Sequence, residues 1–208
     1  LAGQMIAEAT GFVSAPIYAT VSGTVKAIEP RRVVTGDNVM SIVVENDGQY
    51  EEVNWKEIPP FEKLSREDKI SMIKEAGIVG MGGAGFPTHV KLSPPSEATI
   101  DYVIVNGAEC EPYLTSDYRI MLENSEELLT GLAIMMHIFG LPVGYIAIED
   151  NKPKAIEAMK KAAAAYPDAE IRVVPLKTKY PQGSEKQLIN AVTGRKLKPG
   201  TLPWQAGC

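Results

Sequence analysis

Two hundred and eight residues, 45% apolar and 23% charged, make a chain long enough to bury one large hydrophobic core or two small ones. Lys and Arg number 21 against 26 Asp and Glu, and the net charge of −5 argues against nucleic acid or an anionic membrane surface as the main partner. No apolar run reaches the ~18 residues of a membrane span, so no direct membrane insertion is expected. The two cysteines, Cys110 and Cys208, form no CxxC pair, and no self-contained metal site is expected.

Residues 1–54 read as a small β segment. Phe12-Val13, Thr24 to Ile28 and Val39 to Val44 are short strand-like runs, broken by Gly11, Gly23, Gly36 and Asn46-Asp47-Gly48. The stretch Lys56 to Glu62, with tandem Pro59-Pro60, is the expected linker, since prolines prevent regular pairing.

From residue 55 onward the apolar period changes. Ser65 to Asp68 can cap a helix that carries Ile70, Ile73 and Ala76 and stops at Gly77. Tyr102 to Asn106 reads as a buried strand. Asn124 with Glu127 can box the start of a helix bearing Leu128, Leu129, Leu132 and Met136 and ending near Gly140, with His137 expected in its core. Gly144 to Ile148 is a further strand, and Asn151 is expected to cap a helix with Pro153 in its first turn, running to about Tyr166. Ile171 to Val174 and then Ser184 to Val192 complete the alternation as strand and helix. Strands alternating with long helices predict an α/β domain with a mainly parallel sheet and flanking helices over 55–208, preceded by the β segment.

The densest motif is Gly80-Met81-Gly82-Gly83-Ala84-Gly85-Phe86-Pro87-Thr88. Four glycines in six positions let the backbone approach a ligand, and successive N–H groups can form an anion nest. A helix precedes the loop where the dinucleotide fingerprint requires a strand, and no lysine directly follows Gly85 as in a Walker loop. Lys91, six residues after Gly85, adds a cation suited to a phosphate monoester. A purely structural turn is the competing reading.

A second cluster follows the strand: Asn106-Gly107-Ala108-Glu109-Cys110-Glu111-Pro112-Tyr113. In parallel sheets ligands bind outside the carboxyl ends of strands. Asn106 can both donate and accept, as an isoalloxazine ring requires, and Glu109 and Glu111 can accept from ribityl or ribose hydroxyls. An ordinary polar turn fits the same residues. No nucleophile–base spacing links Cys110 to His89 or His137, so no catalytic side chain is assigned. Further on, Gly183 and Ser184 open the last helix behind Tyr180, where a polar ligand group or a simple cap is equally possible.

Taken together, Gly80 to Leu92, Val105 to Tyr113 and Tyr180 to Arg195 resemble the RnfC family, the C component of the bacterial Rnf electron-transport complex. More distantly they resemble the flavin- and NADH-binding subunit of respiratory complex I. Residues 14–25 are similar to the barrel-sandwich module that precedes the flavin domain in RnfC, related to biotinyl and lipoyl domains. The sole lysine of this segment, Lys26, falls within a predicted strand, so a non-carrier module is expected over 1–54. The resemblance implies that Gly80, Gly82, Gly83, Gly85 and Lys91 cradle FMN and its phosphate, and that Asn106 and Glu109 contact the flavin. It implies that Glu111, Tyr180, Gly183 and Glu185 line the adjoining NADH site. Ala108 and Ser184 stand where the complex I pattern has acids.

The function implied is an NADH-oxidising, FMN-binding subunit that passes electrons to 4Fe-4S clusters outside this chain. The flavin domain is then expected to be C-terminally incomplete, as in a piece of a longer protein. Its implied partners are the other subunits of a membrane complex, and its implied place is peripheral, on the cytoplasmic face of the bacterial inner membrane. A cobalamin reductase of the same superfamily shares the glycine loop and the acidic turn. A non-catalytic scaffold or carrier-type module is the alternative from another class.

Overall fold

The computed structural model describes residues 1–55, 57–81, 84–167 and 169–208. The chain divides into two compact units, Leu1–Ser93 and Pro94–Cys208.

In the first unit, β1 (Met5–Ala7) pairs antiparallel with β2 (Ile17–Tyr18), and β3 (Gly23–Arg32) with β4 (Asn38–Asn46). The β3–β4 hairpin turns through Val33 to Asp37, with Gly36 in the left-handed region at φ 91°. Lys26 lies at the register shift between Val25 and Ala27 and pairs with Glu45 at 2.5 Å, away from the hairpin tip. Buried Ser22 ties the ends of the ribbon together: its hydroxyl donates to Asp47 at 2.6 Å and accepts from the Glu51 N–H at 3.1 Å.

Phe12 and Val13, expected in a strand, form a bend instead. Phe12 is used for a tertiary contact: its carbonyl accepts from Nε2 of buried His89 at 2.9 Å, and its ring stands edge-on to the imidazole. Helix α1 (Arg66–Glu75) starts as expected, with the Ser65 hydroxyl accepting from the Asp68 N–H, and ends before Gly77 at φ 67°. The Tyr18 hydroxyl donates to the Glu75 carbonyl and ties α1 to β2. The short α2 (Thr88–Lys91) follows the glycine loop.

The second unit is a three-stranded parallel sheet in the order β5 (Ile104–Gly107), β6 (Val143–Glu149), β7 (Glu170–Leu176). Between β5 and β6 run α3 (Ser116–Glu123) and α4 (Ser125–Phe139), and α5 (Pro153–Ala165) links β6 to β7. Alternation along β6 divides the core. Ile146 and Ile148 pack with Met121, Leu129, Leu132, Met136, Ala155 and Met159 from α3, α4 and α5. Ala147, between them, packs with Ala108, Leu176 and Leu188, the last from α6 (Glu185–Thr193). The stripe Leu129, Leu132, Ala133 and Met136 has helical spacing and is buried throughout, and each large apolar side chain there contributes about 1.5–3 kcal/mol. His137 falls one position off that stripe and is exposed, contrary to its expected core place.

Two expected caps do not form. Asn124 makes no side-chain capping bond; it ends α3 as well as opening α4, and its N–H, which Glu127 would take in a capping box, is engaged by the Ile120 carbonyl. Lys152, not Asn151, stands at the start of α5, and the Asn151 N–H donates instead to the Thr178 hydroxyl at 3.2 Å.

Candidate functional site

Within the first unit the glycine loop is clasped at its base. Gly80 N–H donates to the Phe86 carbonyl at 2.8 Å and Thr88 N–H to the Ile78 carbonyl at 3.0 Å, with Val79 bridging Pro87. Gly85 takes the left-handed φ of 60°. Helix α2 brings the Lys91 ammonium back over the loop. Its Nζ lies 3.2 Å from the point a Cβ on Gly80 would occupy, so a side chain there would displace the cation. A lysine ammonium above bare glycine backbone is a donor set that fits a phosphate monoester. Gly82 and Gly83 lie outside the described residues.

In the second unit, the turn after β5 meets the loop before α6. Asn106 Nδ2 donates to the Gly183 carbonyl at 2.7 Å, and its Oδ1 accepts from the Ala108 N–H at 3.2 Å. The Gly183 N–H donates to Cys110 Sγ at 3.2 Å. A Cβ at Gly183 would run into the Ala108 carbonyl oxygen, so only glycine permits this approach. Glu111, Tyr180 and Glu185 reach solvent, Tyr180 to 70%. Tyr113 is fully solvent-exposed and holds a left-handed φ of 66°.

Glu109, expected at the flavin, is buried and faces the start of α3. Its Oε1 accepts from the Asp117 N–H at 2.9 Å and the Ser116 hydroxyl at 3.3 Å, and its Oε2 from the Tyr118 N–H at 3.4 Å. Lys152 Nζ, 3.6 Å from Glu109 Oε2, also sits 5.2 Å above the Tyr118 ring. Loss of hydration, and then the Glu109 charge, raise the Asp117 carboxyl above the usual carboxylate value. Lys152 carries no signal of this role in the sequence, because it reaches Glu109 from a distant part of the chain, and Asp117 and Tyr118 carry none because the irregular turn between them and Glu109 hides the cap.

The pairing of the acids at the end of β6 with the loop after β7 also has no signal in the sequence. Asp150 Oδ1 accepts from both the N–H and the hydroxyl of Thr178, at 3.0 and 2.6 Å, and buried Glu149 Oε1 accepts from the Lys179 N–H at 3.2 Å. The Thr178 hydroxyl, above all, holds the Asp150 carboxyl below its usual value. Among the described residues no group of His, Cys, Asp or Glu could hold a metal ion, and no helix is long and apolar enough to cross a membrane.

Two family models match the chain: residues 1–49 match the RnfC barrel sandwich hybrid domain and residues 73–208 the Nuo51 FMN-binding domain. The chain is 50% identical over 212 residues to the C subunit of a proton-translocating ferredoxin:NAD(+) oxidoreductase complex of Clostridium ljungdahlii, covering 99% of this chain and 44% of that protein. It is 48% identical to the C subunit of the Na(+)-translocating counterpart of Acetobacterium woodii, again over 99% of this chain and 46% of the relative. The C subunit of an ion-translocating oxidoreductase complex of Vibrio cholerae is 42% identical over the whole chain, which covers 26% of that protein. The chain thus spans about half the length, or less, of these curated relatives. An NAD+-reducing [NiFe]-hydrogenase shares the fold at a TM-score of 0.53 and 22% identity, over 67% of this chain and 26% of that one. With its N-terminal barrel-sandwich segment and its FMN-binding-type α/β domain, the chain belongs to the RnfC family, the C subunits of ion-translocating oxidoreductase complexes.

Proposed function

We propose that the chain is the flavin- and nicotinamide-binding part of the electron-input subunit of such a complex, oxidising NADH through FMN. The observation that carries this is the Lys91 ammonium held over the Gly80 backbone in a clasped glycine loop. That donor set suits the dianionic phosphate that distinguishes FMN from riboflavin. In this reading Gly80, Gly82, Gly83, Gly85 and Lys91 hold the phosphate. Asn106 orients the flavin ring, while Glu111, Tyr180, Gly183 and Glu185 line the nucleotide side. Glu109 contributes through α3, whose first amides it caps.

FMN, when bound, supplies two-electron acceptance from a nicotinamide and one-electron release, and this chain supplies alignment and electrostatics. The electrons would pass to iron–sulfur clusters carried outside these 208 residues, with the other subunits of the complex as partners. The assembly would be peripheral, on the cytoplasmic face of the membrane. Residues 1–54 are proposed as a non-carrier barrel-sandwich module and 55–208 as the flavin domain.

The full-length protein should purify yellow, or become yellow with FMN, and bleach when NADH is added. A colourless protein that takes up no FMN, or a flavoprotein that NADH does not bleach, would falsify this function.

A further inference from the structure

The loop from Thr178 to Gly183 is held at both ends by the carboxyl ends of neighbouring strands. At its start, the end of β6 grips it. Asp150 Oδ1 takes both the N–H and the hydroxyl proton of Thr178, and the Thr178 oxygen in turn accepts from the Asn151 N–H at 3.2 Å. Asp150 N–H donates to the Leu176 carbonyl at 2.7 Å, so the two segments face each other across a closed ring of hydrogen bonds. One residue before, Glu149 Oε1 accepts from the Lys179 N–H. At the far end, β5 and the turn after it take over, with Asn106 of the strand on the Gly183 carbonyl and Cys110 of the turn on its N–H. Tyr180 stands between the two anchors.

A hydroxyl is needed at position 178 because it donates to Asp150 and accepts from Asn151 at once. Valine has nearly the same shape and can do neither. Both Asp150 and Thr178 are exposed, so their bonds bury little apolar surface and act chiefly on the course of the loop.

We infer that Glu149, Asp150 and Thr178 are positioning residues of the nucleotide side: without touching ligand, they fix the backbone that carries Tyr180 and Gly183. This rests on the proposed role of residues 180–185 in binding NADH.

The test uses the full-length, FMN-loaded protein, with wild type, Thr178→Val and Thr178→Ser compared by NADH titration, flavin content and amide hydrogen exchange. Thr178→Val should weaken NADH binding roughly tenfold, as expected for loss of a charge-assisted hydrogen bond. Flavin content should be unchanged, and exchange should rise in 178–183 with β5 and β6 still protected. Thr178→Ser should restore affinity and protection. Wild-type affinity in Thr178→Val, with wild type itself binding NADH, overturns the positioning role and leaves the nucleotide site standing. Loss of flavin together with protection across the sheet would show a general fold element and also overturns it. Failure of wild type to bind NADH removes the nucleotide site and this role with it.

Discussion

Lys91 and Gly80 are matched: the lysine ammonium lies close to bare glycine backbone. The ammonium rests close over the Gly80 backbone because no Cβ crowds it there, and the loop gains a nearby cation because α2 turns Lys91 back. Lys91→Ala should therefore weaken FMN by about 10- to 100-fold, the worth of a hydrogen bond to a charged group, and leave riboflavin almost unaffected. Equal losses for the two flavins, measured by fluorescence titration of the full-length protein, would remove Lys91 from the phosphate site. Tyr113 presents the opposite case, a side chain where glycine would fit better. Its φ of 66° costs a non-glycine residue about 1–2 kcal/mol, and its exposed ring returns no burial. Tyr113→Gly should leave the melting temperature unchanged or raise it slightly, glycine's chain entropy offsetting part of the relief. Tyr113→Val should lower it, because a branched Cβ tolerates this backbone worse. A fall of equal size in both variants would show that the ring itself supports the turn.

At the scale of elements, α4 and the strand packed on it provide two glycine substitutions of opposite sign. Gly144, at the start of β6, faces this helix: an added Cβ would lie 2.5 Å from Met136 Sδ and 3.0 Å from side-chain carbons of fully buried Leu132. The thioether can swing aside, but Leu132 cannot, so Gly144→Ala should cost about 1–3 kcal/mol by overpacking. Gly131 lies inside α4 with open space where its Cβ would be. Gly131→Ala should add up to about 1 kcal/mol of stability from helix propensity alone. Thermal unfolding of both variants checks the sign, and a loss at Gly131 would mean that its surface is covered by something else. The same elements show what a sequence can reveal. The stripe in α4 and the alternation in β6 are legible because each repeats within a few residues. The glycine loop and Lys91 are legible because loop and cation are close in sequence. Helix α3 is not, since its first amides are capped by Glu109, which lies before an irregular turn and does not read as a cap. Nor is the Asp150–Thr178 ring, which exists only because β6 and β7 are neighbours in register. Phe12 reads as a strand residue because its true partner, His89, lies 77 positions away.

Across the whole molecule, three aspartates among the described residues have shifted titrations in the acid range, and they pull in opposite directions. Asp47 in the first unit, through Ser22, and Asp150 in the second, through Thr178, are held below the ordinary carboxylate pKa by hydroxyl donors. In the window below about 3.9 the unfolded chain takes up these protons before the folded one. Their contribution is therefore complete above that value and is lost as the pH falls through their lower folded values. Asp117 behaves inversely. Desolvation, and then Glu109, raise its folded pKa, so just above the ordinary value the folded state binds the proton first and gains stability as the pH falls. From neutral pH downward the melting temperature should rise slightly and then drop once the pH passes below the ordinary carboxylate range. Asp117→Asn should abolish the rise and leave the acid drop. Thr178→Val should lower the melting temperature near neutral pH and make the acid drop smaller, because Asp150 then loses the donor that chiefly depresses its folded pKa. Both can be read from thermal melts between about pH 3 and 7, the range that spans these titrations. A rise that survives in Asp117→Asn would assign it to another carboxylate, and an undiminished drop in Thr178→Val would show that the hydroxyl does not set the Asp150 titration.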